Sequence, residues 1–169
     1  DGTTCWVATA SKRCVAVSAT DCAPALLSLG ASVRLESAAG ARELPLAELY
    51  RNDGIDYLTR RPDEILTTVR LPDATGWTST YWKLRRRGSF DFPVLGVAAA
   101  LRMDGDVVRE ARIVLGAVAS LPREAVAAGA LLAGQRLTTE LIDEAASVAS
   151  RPSKPLDNTD LTHPYRKKM

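Results

Sequence analysis

Val94-Leu-Gly-Val-Ala-Ala-Ala-Leu-Arg-Met-Asp-Gly-Asp-Val-Val-Arg-Glu-Ala-Arg-Ile-Val-Leu-Gly-Ala-Val118 is the stretch on which the fold turns. Two apolar runs, Val94 to Met103 and Val107 to Val118, flank Asp104-Gly105-Asp106. An Asp-Gly pair between such runs is a strong β-hairpin signal. Upstream, Trp77 to Arg87 and Glu64 to Leu71 read as two further strands, joined through Pro72-Asp73-Ala74-Thr75-Gly76. Together these runs predict an antiparallel sheet. Downstream the pattern turns helical. Pro122 suits a helix start, and the run reaches Ala133 before Gly134. Thr138-Thr139-Glu140 opens a second helix with Leu141, Ile142, Ala145, Val148 and Ala149 on one face, ended by Pro152 and Pro155. Asp157 to Thr162 reads as a polar loop and Pro164 as the start of a last helix. Sheet first and helices after predict an α+β unit whose C-terminal helices cover the antiparallel sheet.

The first fifty residues carry a different pattern. Cys14 to Ser18 suits a short strand, and Ser18 or Thr20 can cap a helix over Asp21 to Leu29 that Gly30 stops. Asp21 is well placed for the positive end of that helix. Ala31 to Ser37 alternates Val33 and Leu35 against Arg34 and Glu36, Ala38-Ala39-Gly40 turns, and Arg42 to Leu44 returns as a hairpin partner. Pro45 to Tyr50 suits a single helical turn. Arg51-Asn52-Asp53-Gly54 is polar, carries a turn signal, and is the best linker. The expected division is therefore 1–54, the end of one α+β unit, and 55–169, a second.

Hydrophobic residues at 46% and charged residues at 25% over 169 positions describe a soluble globular protein with a core. Net charge is +2 with dispersed basic residues, which gives no reason to expect nucleic acid or a membrane surface. No apolar run is long enough to span a bilayer. Both ends read as cut: Asp1-Gly2-Thr3-Thr4 starts in mid-pattern, and Tyr165 to Met169 reads as the first turn of a longer helix.

The chemistry-bearing candidates are few. In Tyr81-Trp-Lys-Leu-Arg-Arg-Arg-Gly-Ser-Phe-Asp-Phe-Pro-Val94, strand alternation would put Lys83, Arg85 and Arg87 on one face and Trp82, Leu84 and Arg86 on the other. Such a row suits an anionic or electron-rich ligand, or simply a solvated face. Cys5, Cys14 and Cys22 form no closed disulfide set; Cys5 and Cys14 could ligate an iron–sulfur cluster or be small buried hydrophobes, and Cys22 is expected in the core. His163 is the only histidine, so no Ser-His-Asp or Cys-His arrangement has support. The glycines lack the order of a dinucleotide fingerprint.

The run Pro62-Asp-Glu-Ile-Leu-Thr-Thr-Val-Arg-Leu-Pro72, the Tyr81–Val94 segment and Val97-Ala-Ala-Ala-Leu101, in that order, resemble the FAD-binding medium subunit of molybdenum hydroxylases, the xanthine dehydrogenase family. The likeness runs over essentially the whole chain and is greatest to the 4-hydroxybenzoyl-CoA reductase β subunit. It implies an electron-transfer part of an oxidoreductase, passing electrons between FAD and iron–sulfur centres of partner subunits. Those partners are a large molybdopterin-binding subunit and a small 2Fe-2S subunit, in a cytoplasmic bacterial complex, with an aromatic acyl-CoA such as 4-hydroxybenzoyl-CoA as substrate. It places residues 1–54 at the end of the FAD-binding subdomain and 55–169 in the C-terminal flavoprotein domain. It also assigns roles. Asp21 matches an aspartate that contacts FAD, although a helix cap alone would explain it. Leu66 matches a position beside the isoalloxazine, Lys83 a lysine near the flavin ring, and Arg87 would support Lys83. Cys5 and Cys14 match two ligands of a 4Fe-4S cluster. The glycine-rich pyrophosphate loop would precede Asp1, so this chain alone is expected to bind FAD poorly. The rival is an assembly or binding domain that keeps the fold without flavin; nucleic-acid binding through Lys83 to Arg87 lacks the wider basic surface it needs.

Overall fold

The computed structural model describes residues 5–88, 90–156 and 161–169. The N-terminal Asp1 to Thr4, Ser89 of the Tyr81–Val94 segment, and 157–160 of the expected polar loop lie outside the described residues. The predicted hairpin forms as β5 (Leu95–Asp104) and β6 (Val107–Gly116), antiparallel, with Ala98 opposite Val114. Gly105 sits at φ +59, the left-handed conformation its turn demands. One extra residue enters β6 where the register shifts after Arg102. Strand β4 (Trp77–Leu84) pairs with β5, and the two-residue β7 (Arg123–Glu124) pairs with β6, giving the order β4-β5-β6-β7.

A second sheet precedes it. Helix α1 (Cys22–Ser28) leads into β1 (Ser32–Ser37), which turns into β2 (Gly40–Pro45) and then a single 3-10 turn, Leu46–Leu49. The alternation in β1 holds: Val33 and Leu35 are buried, packed with Leu44, Leu46 and Leu49. The molecule is thus α+β with two antiparallel sheets and few helices, as the pattern predicts. Sheet membership differs at one strand. β3 (Ile65–Arg70) does not join β4 but lies along β1, with Leu66 opposite Leu35 and Val69 opposite Val33, in the order β2-β1-β3. β1 is buried, so the peptide groups on both its edges need partners. The hairpin supplies β2 on one edge; the chain returns to supply β3 on the other. This sheet therefore crosses the division expected after Gly54.

Local corrections have local causes. The helix expected from Pro122 begins later, as α2 (Val126–Leu132), because Arg123 and Glu124 are held extended opposite Leu115 and Val114. Residues 14–18 form no strand, although Ser18 exchanges backbone hydrogen bonds with the chain beyond β6. β4 ends at Leu84, not Arg87, where the Val94 N–H closes on the Leu84 carbonyl at 2.8 Å. Cys22 is exposed at the first position of α1, not in the core. The last two helices match their signals: α3 (Thr139–Ser150) is capped by the Thr138 hydroxyl, and α4 (His163–Lys168) by that of Thr162.

The larger sheet has two different faces. Leu95, Val97, Leu101, Ile113 and Leu115 point to the side where α2 and α3 pack around Val108, Leu132 and Ala145. Coverage there is incomplete, leaving an apolar groove of about 670 Å³ reached by Ile142 and Met169. The opposite face carries Tyr81, Lys83, Gly96, Ala98, Val114 and Gly116 and receives α1. Arg166 of α4 is buried, and its guanidinium donates to the carbonyls of Leu156 (2.6 Å), Val94 (2.9 Å) and Ala117 (3.1 Å), tying three turns together. Among the described residues no helix is long and apolar enough to cross a membrane.

Glu64, at the entry to β3, is 2% exposed. It accepts from the Arg42 guanidinium at 2.7 and 3.0 Å and from the Arg61 backbone at 2.7 Å, with the Arg61 guanidinium at 3.1 Å. The Arg42 hydrogen bond and the Arg61 N–H pull its carboxyl from about 4.5 down to about 2. With the folded value depressed, the unfolded chain takes up this proton first on acidification. Glu64 therefore stabilises the fold fully above the ordinary carboxylate range and loses that contribution as pH falls from about 4.5 towards about 2. Denaturant unfolding of wild type and Glu64→Gln is expected to differ most at neutral pH and to converge towards pH 2; a difference constant over that window would contradict the assignment.

Candidate functional site

Two glycines build the site. Gly96 of β5 and Gly116 of β6 face each other across the sheet. A Cβ at Gly116 would stand 2.9 Å from Cγ of Pro24 in α1, and one at Gly96 would stand 2.7 Å from the Tyr81 hydroxyl. Together they open a shallow channel in the sheet, filled by the start of α1 and by the Tyr81 ring. The strap leading into α1 is fixed from the same side. The Ser18 N–H donates to the Ala119 carbonyl at 2.9 Å, and the Ala117 N–H to the Ser18 carbonyl at 3.2 Å. Ala117 itself has φ +61, a conformation that costs a β-carbon residue roughly 1–2 kcal/mol, and Arg166 holds its carbonyl.

This delivery places Asp21 over β4. Its Oδ2 accepts from Lys83 Nζ at 2.7 Å and its Oδ1 from the Tyr81 hydroxyl at 3.2 Å. Lys83 and Tyr81 are two apart on a strand and so share a face. The cap expected of Asp21 is not what it does: it occupies the N-cap position but makes no side-chain cap bond. Thr20 takes that role instead, its hydroxyl accepting from the Ala23 N–H at 3.4 Å. The Lys83 side chain is 16% exposed and that of Asp21 46%. The cation is thus mostly shielded while the carboxylate keeps lone pairs facing outward. Burial, then the Asp21 charge and hydrogen bond, push the Tyr81 phenol up to about 12, so it stays a donor at neutral pH. The result is a hydroxyl-accepting carboxylate and an ammonium held side by side.

The other candidates are held by other contacts. Leu66 lies on β3 in the other sheet, half-exposed opposite Leu35. Arg87 is not on the Lys83 face, because the strand ends before it. Its backbone N–H and guanidinium donate to the Asp91 carboxylate at 3.1 and 3.3 Å, closing the loop after β4 and holding the Asp91 carboxyl below its usual range. Cys5 and Cys14 are half-buried; their sulfurs accept from the N–H groups of Ala8 at 3.3 Å and Ala16 at 3.4 Å. Among the described residues no three His, Cys, Asp or Glu side chains are grouped to hold a metal ion. Tyr81, Gly96 and Gly116 were not among the sequence candidates. The glycines carry a signal nonetheless, since each is the only glycine of its strand and they stand nearly equidistant from the Asp104-Gly105 turn.

Comparison with known proteins agrees with this architecture. Residues 79–169 match the CO dehydrogenase flavoprotein C-terminal domain, and residues 8–74 the FAD binding domain in molybdopterin dehydrogenase. The carbon monoxide dehydrogenase medium chain of Afipia carboxidovorans is 33% identical over 86% of this chain and 50% of its own length. The aldehyde oxidoreductase FAD-binding subunit of Escherichia coli is 33% identical over 72% of this chain and 38% of its own. Reconstituted CO dehydrogenase from Oligotropha carboxidovorans superposes with a TM-score of 0.80 at 31% identity, covering 88% of this chain and 51% of that one. The chain spans about half the length of the curated relatives it matches.

Filling the channel tests the geometry. Gly116→Ala is expected to destabilise the fold by about 1–3 kcal/mol, the range for overpacking, because Pro24 must give way. Gly88→Ala, where a Cβ would meet nothing within 4 Å, is expected to stay within about 0.5 kcal/mol. Urea denaturation distinguishes the two; equal effects would show that α1 does not seat against Gly116.

Proposed function

Because the chain belongs to the family of the CO dehydrogenase flavoprotein C-terminal domain, part of the FAD-binding medium subunits of molybdenum hydroxylases, we propose that it forms the flavin-holding, electron-transferring part of such an oxidoreductase. The observation that supports this most is the Asp21–Lys83 pair at the meeting of the two sheets. Its donor set fits a flavin nucleotide. A carboxylate with outward lone pairs can accept hydrogen bonds from sugar or ribityl hydroxyls, and such charge-assisted bonds are strong. A shielded ammonium can offset negative charge that builds up on a reduced ring. When bound, FAD would supply reversible electron transfer between partners. Lys83 would favour the reduced form, and Asp21 would orient the group through its hydroxyls. Leu66, on the exposed strand β3, would pack against the ring, and Arg87 would hold the loop after β4 next to it. The β2-β1-β3 sheet supports a division between the two units after β3, at 71–76, in place of the one expected after Gly54.

The relatives' names span carbon monoxide, glyceraldehyde, other aldehydes and nicotinate. That spread over one shared portion supports substrate choice on a separate molybdopterin-binding large subunit, with a 2Fe-2S small subunit as the other partner, in a cytoplasmic complex. For the whole enzyme the sequence resemblance favours an aromatic acyl-CoA such as 4-hydroxybenzoyl-CoA. A 4Fe-4S cluster needs four ligands, and Cys5 and Cys14 supply two. The described residues do not complete that set.

Purified full-length protein is expected to be yellow, with flavin released on denaturation; colourless protein would overturn the proposal. Lys83→Met leaves Asp21 uncompensated and is expected to lower the flavin midpoint potential by on the order of 30 mV, about 1.4 kcal/mol for a two-electron couple. Spectroelectrochemical titration reads this shift, and an unchanged potential would remove Lys83 from the ring's surroundings.

A further inference from the structure

We propose that Tyr81 is the residue that positions the Asp21 carboxylate, and that Gly96 is glycine in order to admit it; this rests on the flavin reading above for what the carboxylate then does. Asp21 lies on the strap before a seven-residue helix, and its side chain has no cap bond to fix it. Lys83 alone would hold one oxygen on a flexible four-carbon stem. Tyr81 brings a rigid ring and a directional donor to the other oxygen at 3.2 Å. With both oxygens held from one strand face, the carboxylate plane is defined and its remaining lone pairs point in a set direction. The ring has room because Gly96, the cross-strand neighbour of Lys83, lacks a side chain. A Cβ there would lie 2.7 Å from the phenol oxygen and 3.1 to 3.2 Å from two ring carbons. A β-strand interior pays for glycine in backbone entropy and lost packing. Close approach of the Tyr81 ring accounts for its presence here. The phenol stays protonated across the working pH range, so it serves as a donor throughout. Tyr81 is thus a positioning residue, acting on the ligand through Asp21.

Two experiments test this. In the full-length flavoprotein, Tyr81→Phe keeps the ring and removes the donor. It is expected to weaken flavin affinity about five-fold, the effect of one ordinary hydrogen bond, and to shift the midpoint potential. Gly96→Ala, which displaces the phenol, is expected to reproduce both changes, whereas Tyr165→Phe on the exposed side of α4 is expected to move neither. Unchanged affinity and potential in Tyr81→Phe would overturn the proposal. The second experiment needs no flavin. A double-mutant cycle of Tyr81→Phe and Asp21→Ala on denaturant unfolding is expected to show about five-fold coupling in the unfolding equilibrium. Strict additivity would overturn the proposal. Should wild type take up no flavin, the function proposed above fails, and the cycle alone decides whether Tyr81 holds Asp21.

Discussion

The structure depends on the contact between α1 and the larger sheet across Gly96 and Gly116. Sheets usually present a continuous carpet of side chains that keeps a packed element off the backbone. Two facing glycines remove that carpet at one point and let Pro24 reach the backbone. Everything local follows from this close approach: the strap at Ser18, the strained Ala117 and the arrival of Asp21 over Lys83. It also joins two units that have separate cores, one around Val33 and Leu35 and the other around Val108 and Leu132. The Asp21–Lys83 pair therefore draws on both parts, since the strap before α1 supplies the carboxylate and β4 the ammonium.

Much of the fold is legible in the sequence because it is encoded locally. The Asp104-Gly105 turn, the alternation of β1 and the Thr138 start of α3 all depend on a few neighbouring residues, and all appear as read. What escapes is pairing between distant segments. Alternation marks β3 as a strand but cannot say whether its partner is β1 or β4. The Pro122 helix signal fails for the same reason, because Arg123 and Glu124 are captured by β6 before a helix can start.

The site was legible in part. Asp21 and Lys83 are brought together, although sixty-two positions separate them in the chain. The row of cations does not keep one face beyond Leu84, because alternation holds only to the end of the strand. Asp91, four residues after Arg87, was visible and explains the loop that forms instead. The donor role of Tyr81 is not legible, because an aromatic residue on a strand usually means packing. Its function as a donor depends on Gly96, fifteen residues away, and is seen only once the register is known.

The Asp21–Lys83 pair also limits how strongly this site can act. A lone ammonium 4 Å from a developing charge contributes about 4 kcal/mol at an effective dielectric of 20. A carboxylate 2.7 Å from that ammonium cancels a large part of the field beyond it. What remains is a dipole whose effect depends on direction: stabilising for negative charge on the ammonium side, unfavourable on the carboxylate side. Such an arrangement suits a ligand with two chemically different ends, an electron-accepting ring and a hydroxyl-bearing chain, better than it suits a simple anion. The unequal exposure of the two groups fits that division, with the cation sheltered, where its field is least screened, and the carboxylate open to exchange water for hydroxyls.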